Sequence, residues 1–353
     1  MISHNYLGHK IADIEEILAK VGAVVESGQM TMGAALEEFE RAFAAFIGVK
    51  HAIGVASGTD ALFLSLKTIG VEGAEVITSP YTFYATVGAI IAAGAKPVFV
   101  DIGPDLNLDP AQVVLTPDTA AIVPVHWAGR PCAMREIMAI ARKHGLWVLE
   151  DCAHAPMSEY RGKRCGSFGE VNAFSLHPLK NVNVWGDGGV ITTNSDEKAT
   201  FLRRLRNHGM SDRDTCEFWG YNSRLDTVQA VVASHVLQKL SAITARRRDN
   251  ARLLDNLLLG IPEVQLPELS SHISSNYYLY CFHADNRDAL KAYLVAHGVD
   301  AKIHYPKPLH LQPAAKALNK GFRRGAFPIA EWCADTTLSL PVHEFLTEAD
   351  IAF

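Results

Sequence analysis

The sequence predicts an α/β fold: a large domain with a mostly parallel sheet between helices, followed by a smaller α+β C-terminal domain. Three observations predict it. Apolar runs of four to six residues alternate with stretches of helical periodicity along the first half of the chain, the pattern of a parallel sheet covered on both faces. A chain of 353 residues is long for a single core and suits one large domain plus a smaller one. Near residue 235 the texture changes to long helices and then a proline-containing mixed region, so the expected domains are 1–235 and 236–353.

Segment 11–47 repeats apolar residues at helical spacing and ends in "LEEFERAFAAFIG", so two helices precede the sheet. "HAIGVASGTDALFLSLKTIG" then changes period: a short strand to Ala56, a Ser-Gly-Thr-Asp turn, and a helix. "EVITSP" reads as a strand, "TFYATVGAIIAAG" as a helix and "KPVFVDI" as a strand. The alternation continues through "AAIVPVHWAG", the helix "MREIMAIARKHG", and the strands "LWVLEDCA" and "VNAFSL". Gly-Asp-Gly-Gly is turn chemistry ahead of the strand-like "VITT". The stretch "TVQAVVASHVLQKLSAITARRRDNARLLDNLL" reads as long helices, and strands are expected near "NYYLYCFHA". In the most apolar window, "TVGAIIAAGAKPVFV", Lys96 and Pro97 interrupt the run after about ten residues, which is short of a bilayer span.

Composition narrows the function. With 48% hydrophobic and 20% charged residues the chain is globular, and a net charge of -5 with interspersed signs argues against nucleic-acid binding. Six scattered cysteines without a CxxC pair suit the reduced thiols of a cytoplasmic enzyme. "MISHNYLGHK" lacks the basic region and apolar core of a secretory signal. Fifteen histidines raise the question of a metal, but His304 and His310 stand six apart with no cysteine or carboxylate to complete a ligand spacing, so no metal is expected.

Parallel sheets bind ligands at the carboxyl ends of their strands. "SGTD", "DCAH" and "HPLK" all fall there. In "ASGTDAL", residues 56–62, the free N–H groups and hydroxyls of a helix start suit a phosphate, although Ser57 or Thr59 would serve equally as an ordinary cap. In "LEDCAHA" the strand ends at Asp151, a poorly solvated carboxylate that needs a cationic partner such as a protonated pyridine nitrogen, unless it caps the next helix. His154 lies against the same ligand or is a surface histidine. Lys180, in "FSLHPLKNVNVWGDGGVITT", is either a solvated turn lysine or an amine whose apolar surroundings free its lone pair for a Schiff base. Ser175, five residues earlier, offers a hydroxyl to a phosphate. Phosphate cradle, pyridine carboxylate and amine, in that order on successive strand ends, match the three handles of pyridoxal 5′-phosphate.

Across nearly its whole length the sequence resembles the DegT/DnrJ/EryC1/StrS sugar aminotransferases, pyridoxal-phosphate enzymes of fold type I, the aspartate aminotransferase-like class. The motifs that carry this are "SGQMTMGAALEEFERAFAAFIG", "ASGTDALFLSL", "SPYTFYATVGAI", "PVHWAG", "EDCAHA", "FSLHPLKNVNVWGDGG", "RLRNHG", "GYNSRLDTVQA", "HYPKPLHLQPA" and "TLSLPVHEFLT". The resemblance implies a seven-stranded sheet, Lys180 as the Schiff-base lysine and Asp151 as partner of the pyridine nitrogen. Phe83 would stack on the cofactor ring, although the residue pattern alone favours a core position for it. His154 would lie near the opposite face, and Gly58, Thr59 and Ser175 would bind the phosphate. Asn222 would reach the phosphate of the neighbouring subunit, which makes a homodimer the smallest active unit. His304, Tyr305 and His310 would contact substrate.

The implied reaction moves an amino group from L-glutamate to a nucleotide-linked keto sugar, at C3 in preference to C4, with inosose or other cyclic ketones as alternatives. Two rivals differ in kind. A sugar 3-dehydratase of the same superfamily carries histidine in place of the lysine, which Lys180 argues against. A regulatory sensor is opposed by the intact Lys180 and Asp151 pair. The chain departs from the family pattern at Ser223, where an aromatic often follows "GYN", and in stopping at "LTEADIAF", where relatives commonly continue into a last helix.

Overall fold

Glycine stops the first two helices in the same way. α1 (Ile14–Ser27) and α2 (Ala34–Ile47) each end on a residue in the left-handed region, Gly28 at φ 71° and Gly48 at φ 84°, where a side chain would be strained. The structure, a computed structural model, describes residues 1–4, 6–8, 13–267 and 270–353. Residues 11 and 12, at the start of the expected helical segment, lie outside the described residues.

The alternation read from the sequence then appears in order. β1 (His51–Val55), α3 (Gly58–Ile69), β2 (Glu75–Thr78), α4 (Tyr84–Ala92), β3 (Lys96–Phe99), β4 (Thr119–Ile122), α5 (Met134–His144) and β5 (Trp147–Asp151) are followed by a two-strand excursion, β6 (Glu159–Tyr160) and β7 (Lys163–Arg164). β8 (Val171–Ser175) and β9 (Gly189–Thr193) complete a seven-stranded sheet of order β1-β9-β8-β5-β4-β2-β3. β9 runs antiparallel to β1 and β8, while the other pairings are parallel. The sheet is thus the mostly parallel one expected of fold type I.

Helices bury both faces of it. Leu64 and Leu66 of α3 pack with Ile53, Leu149 and Ile191, whereas Phe39 and Phe43 of α2 pack with Phe174 and Val190. Phe39 and Phe43 are wholly buried, and truncating either to alanine would cost about 3–5 kcal/mol. α6 (Asp196–Leu205), unread in the sequence, is capped by Ser195, whose hydroxyl accepts the Lys198 N–H.

α7 (Thr227–Leu258) is one uninterrupted helix of 32 residues, and the expected domain boundary at 235 falls inside it. Its first half supplies Leu237 and Leu240 to the core under the large sheet; its second half supplies Ala251 and Leu254 to the core of the C-terminal region. β10 (Val264–Gln265), β11 (Ile273–Ser274), β12 (Tyr280–Ala284), α8 (Arg287–Ala296), α9 (Pro328–Thr336), β13 (Thr337–Leu340) and α10 (Glu348–Ala352) follow. β10, β12 and β13 form an antiparallel sheet, while β11 crosses over to pair with β6. At the other end of the chain, Ile2 bridges Val299. Among the described residues no helix is long and apolar enough to cross a membrane.

Candidate active site

The carboxyl ends of β1, β5 and β8 open into one cavity of about 320 Å³, lined by Gly58, Thr59, Phe83, Asp151, His154, Ser175, Lys180, His304 and Tyr305 among others. All of the cofactor candidates except Asn222 therefore meet in one place. At the cradle, Ser57 does cap α3, its Oγ accepting the Asp60 N–H at 3.0 Å. Capping and anion binding coexist, because the first N–H groups of a helix lack intrahelical partners. A Cβ on Gly58 would lie 2.6 Å from Cβ of Ser175, so only glycine lets the helix start and the end of β8 come this close. Ser175 Oγ accepts the His177 N–H at 3.3 Å, which leaves the hydroxyl's own proton to give to an anion.

Asp151 ends β5 and is buried. Its carboxylate accepts from the Thr86 hydroxyl at 2.8 Å and from the Ala153 N–H at 3.1 Å. Burial pushes its pKa up against these two hydrogen bonds and the Lys180 charge. A carboxylate held this way is strongly basic towards a buried cation. Thr86 is a site residue that sequence reading missed; it stands three positions after Phe83, one turn into α4, within the quoted "YTFYAT". Phe83 itself is 51% exposed and forms the rim of the cavity, 6.1 Å between ring centroids from Tyr305, which corrects the core reading of this aromatic.

Lys180 is partly buried rather than projected into water. Burial moves its pKa from 10.5 down to about 8, with Asp151 pulling the other way. Its Nζ lies 3.4 Å from the Tyr278 hydroxyl and 4.5 Å from that ring's centroid. Tyr278, 98 residues away in sequence, gave no local signal. Its ring stacks on buried His154 at 4.2 Å, and His154 Nδ1 accepts the Ala128 N–H at 3.3 Å. Burial, with the Lys180 charge, holds His154 neutral. His304 is likewise lowered, to about 4, by burial and by Lys180 and Lys302.

Two candidates are not brought to the cavity. His310 is buried elsewhere, with Nε2 bonded to the Glu331 carboxylate at 2.9 Å, and it borders a separate surface pocket. A contact with substrate in the cavity is therefore not what the fold gives it; the side chain is committed to Glu331. Asn222 is exposed and outside its own chain's cavity. Ser223 beside it donates to Asp60 Oδ2 at 2.7 Å and accepts the Ala56 N–H at 3.3 Å, tying the "GYNSR" segment to the first turn of α3.

His126, Glu150 and Cys152 bring three potential metal donors within 4.8 Å of one another. Glu150 and His126 have structural hydrogen bonds, Glu150 accepting from His126 and from the N–H groups of Gly166, Phe168 and Gly169 and His126 Nδ1 accepting the Cys132 N–H, while Cys152 packs in the apolar core with Phe174. The cavity residues, in contrast, fit pyridoxal 5′-phosphate: an anion cradle that a Cβ would fill, a buried carboxylate in need of a cation, and an amine with lowered pKa share its walls.

Comparison with known proteins agrees with this fit. The profile of the DegT/DnrJ/EryC1/StrS aminotransferase family matches residues 12–352. The chain is 41% identical over 340 residues to the "Pleiotropic regulatory protein" of Geobacillus stearothermophilus, covering 94% of this chain and 91% of that one. It is 39% identical to the UDP-N-acetyl-3-dehydro-alpha-D-glucosamine 3-aminotransferase of Acidithiobacillus ferrooxidans, covering 96% and 91%. Among solved structures, S. venezuelae DesV in complex with a ketimine intermediate superposes with a TM-score of 0.95 at 38% identity, covering 98% of this chain and 94% of that one.

Proposed function

Since the chain belongs to the DegT/DnrJ/EryC1/StrS aminotransferase family and is a pyridoxal-phosphate-dependent sugar transaminase, we propose that it moves an amino group from L-glutamate to the C3 ketone of a nucleotide-linked sugar. The observation that carries the proposal is the convergence of Lys180, Asp151 and the Gly58–Ser175 cradle in one cavity that His304 and Tyr305 also line. The preference for C3 is supported by the Acidithiobacillus relative, whose name places its chemistry at the 3-dehydro position of a UDP-sugar. Glutamate follows from the family resemblance.

The residues divide the work. Gly58, Thr59 and Ser175 hold the cofactor's phosphate, and Asp151 holds a positive charge on its ring nitrogen. The bound cofactor supplies the electron sink that makes the donor's α-hydrogen acidic. Lys180 Nζ, standing in the same cavity, would take that proton and later return one. A pKa near 8 suits an amine that must both take and give a proton close to neutral pH. His154 stays neutral and adds no competing charge. Phe83 at the rim limits water, and His304 and Tyr305 orient the sugar.

We further propose that the site is shared within a homodimer. Asn222 is exposed and does not line its own cavity, and Trp219, three residues earlier, is 93% exposed, an apolar surface suited to a second copy. The test of substrate is to mix the pyridoxamine-phosphate form with UDP- and dTDP-linked 3-keto and 4-keto sugars and an inosose, and to read products by mass spectrometry. Amination of the 3-keto sugars is expected; turnover of only 4-keto sugars or inosose overturns the assignment.

A further inference from the structure

We propose that Tyr278 is a further catalytic residue, a fixed hydroxyl that docks the Lys180 amine whether or not that amine carries its extra proton. The proposal rests on the reading of Lys180 as the reactive amine. Contact is direct, with Oη 3.4 Å from Nζ and the ring centroid 4.5 Å from it.

The ring is held on several sides. Its N–H donates to Asn276 Oδ1 at 3.0 Å, and Asn276 Nδ2 in turn donates to the carbonyls of His154 and Pro156 at 3.0 and 2.7 Å. The Tyr278 carbonyl accepts from Arg247 Nη1 at 3.4 Å. His154 stacks on the ring with an interplanar angle of 21°. Arg247 also lies over the ring of Tyr6, 5.1 Å from its centroid, and the Tyr6 hydroxyl donates to the carbonyl of Leu179, the residue before Lys180, at 2.6 Å. One buried guanidinium, paired with Glu344, thus steadies both the turn that carries the lysine and the tyrosine that meets its amine.

The chemistry calls for such a partner. A transaminase lysine passes between amine and ammonium in each half-reaction, and a carboxylate partner, which only accepts, favours the charged form and offers nothing to the neutral amine's lone pair. A phenol serves both, accepting a hydrogen bond from the ammonium and donating one to the neutral amine. The ring face adds attraction for the charged form. Burial pushes the Tyr278 hydroxyl up to about 12, so it stays protonated and keeps both capacities at working pH.

Two variants separate hydroxyl from ring: Tyr278→Phe keeps the stack on His154, and Tyr278→Leu removes both. With holoenzyme and saturating amino donor, Tyr278→Phe should slow the first half-reaction about 10- to 100-fold with little change in the donor's KM. With apoprotein at about pH 10, where the amine is neutral, acetic anhydride should label Lys180 several-fold faster in Tyr278→Phe, because the lone pair has lost its O–H donor; peptide mapping locates the label. Thermal melting checks that the variant is folded. Wild-type half-reaction rate and labelling in Tyr278→Phe, with defects confined to Tyr278→Leu, would mean that the ring only packs and would overturn the proposal. Borohydride trapping of the cofactor on a lysine other than Lys180 would instead overturn the underlying reading of the amine.

Discussion

Replacing Asp151 with asparagine should move two measurements in opposite directions. Lys180 is held at about 8 instead of 10.5. At pH 7 that leaves about one amine in ten neutral, against about three in ten thousand for a lysine in water, roughly a 300-fold enrichment. Burial causes the fall and the Asp151 charge opposes it, so removing that charge lowers the lysine further. An interaction of ~1 kcal/mol shifts the amine-to-ammonium ratio about fivefold, which at pH 7 and a starting value of about 8 raises the neutral fraction about fourfold. Labelling of Lys180 in Asp151→Asn apoprotein at pH 7 should therefore speed up by about that factor. The half-reaction should slow by about 100-fold or more, because the buried carboxylate that keeps the cofactor's ring nitrogen cationic is gone. Asparagine keeps the shape and can still accept the Ala153 N–H, so a packing defect is not built into the variant. Stopped-flow absorbance reads the half-reaction, and timed acylation with peptide mapping reads the amine. A wild-type half-reaction rate refutes the role of Asp151; slowing of both readouts points to a distorted site and refutes the electrostatic argument.

Gly58→Ala should weaken cofactor binding at least about tenfold by equilibrium dialysis and cost about 1–3 kcal/mol in chemical denaturation, since the added Cβ meets Cβ of Ser175 at 2.6 Å and the helix start or the end of β8 must shift to admit it; wild-type affinity would show that the cradle is not tight. His310→Ala should cost about 1–3 kcal/mol in chemical denaturation, because buried Glu331 loses its imidazole partner and keeps only the Gly325 and Phe327 N–H groups and a distant Arg324, and should leave the KM for the sugar unchanged; a raised KM at full stability would restore a substrate role. Mixing Lys180→Ala chains with Asn222→Ala chains should restore activity, up to one intact site per hybrid dimer, if Asn222 serves the partner's site; no restoration on proven subunit exchange would place Asn222 at its own site.

The large sheet and the cavity were legible because their signals are local. A change of period from two to 3.6 and a turn at each strand end are written in consecutive residues, and in a parallel sheet those ends are where ligand groups gather. Other features depend on what comes alongside. β6, β7 and β11 are two residues each, too short to show a period, and β11 finds its partner more than a hundred residues upstream. The expected boundary at 235 falls inside α7, which changes the core it serves without changing its helical pattern, so no local signal marks the change. α6 was readable in principle: Ser195 precedes an acidic first turn, and Arg203 and Arg204 close the last one.

Adjacent residues show the limit more sharply than distant ones. Glu150 and Asp151 are neighbouring buried carboxylates at the end of one strand, and composition treats them alike. Alternation along the strand sends their side chains to opposite faces. Glu150 meets His126 and three backbone N–H groups, a set that gives each of its oxygens two hydrogen bonds and ties β5 to the loop before β8. Asp151 meets one hydroxyl and one N–H and opens on the cavity, so its charge is left for something that enters there. Which carboxylate is structural and which is reactive follows from the parity of its position on the strand. Parity is readable from sequence only once the strand's last residue is known, and here that residue was Asp151.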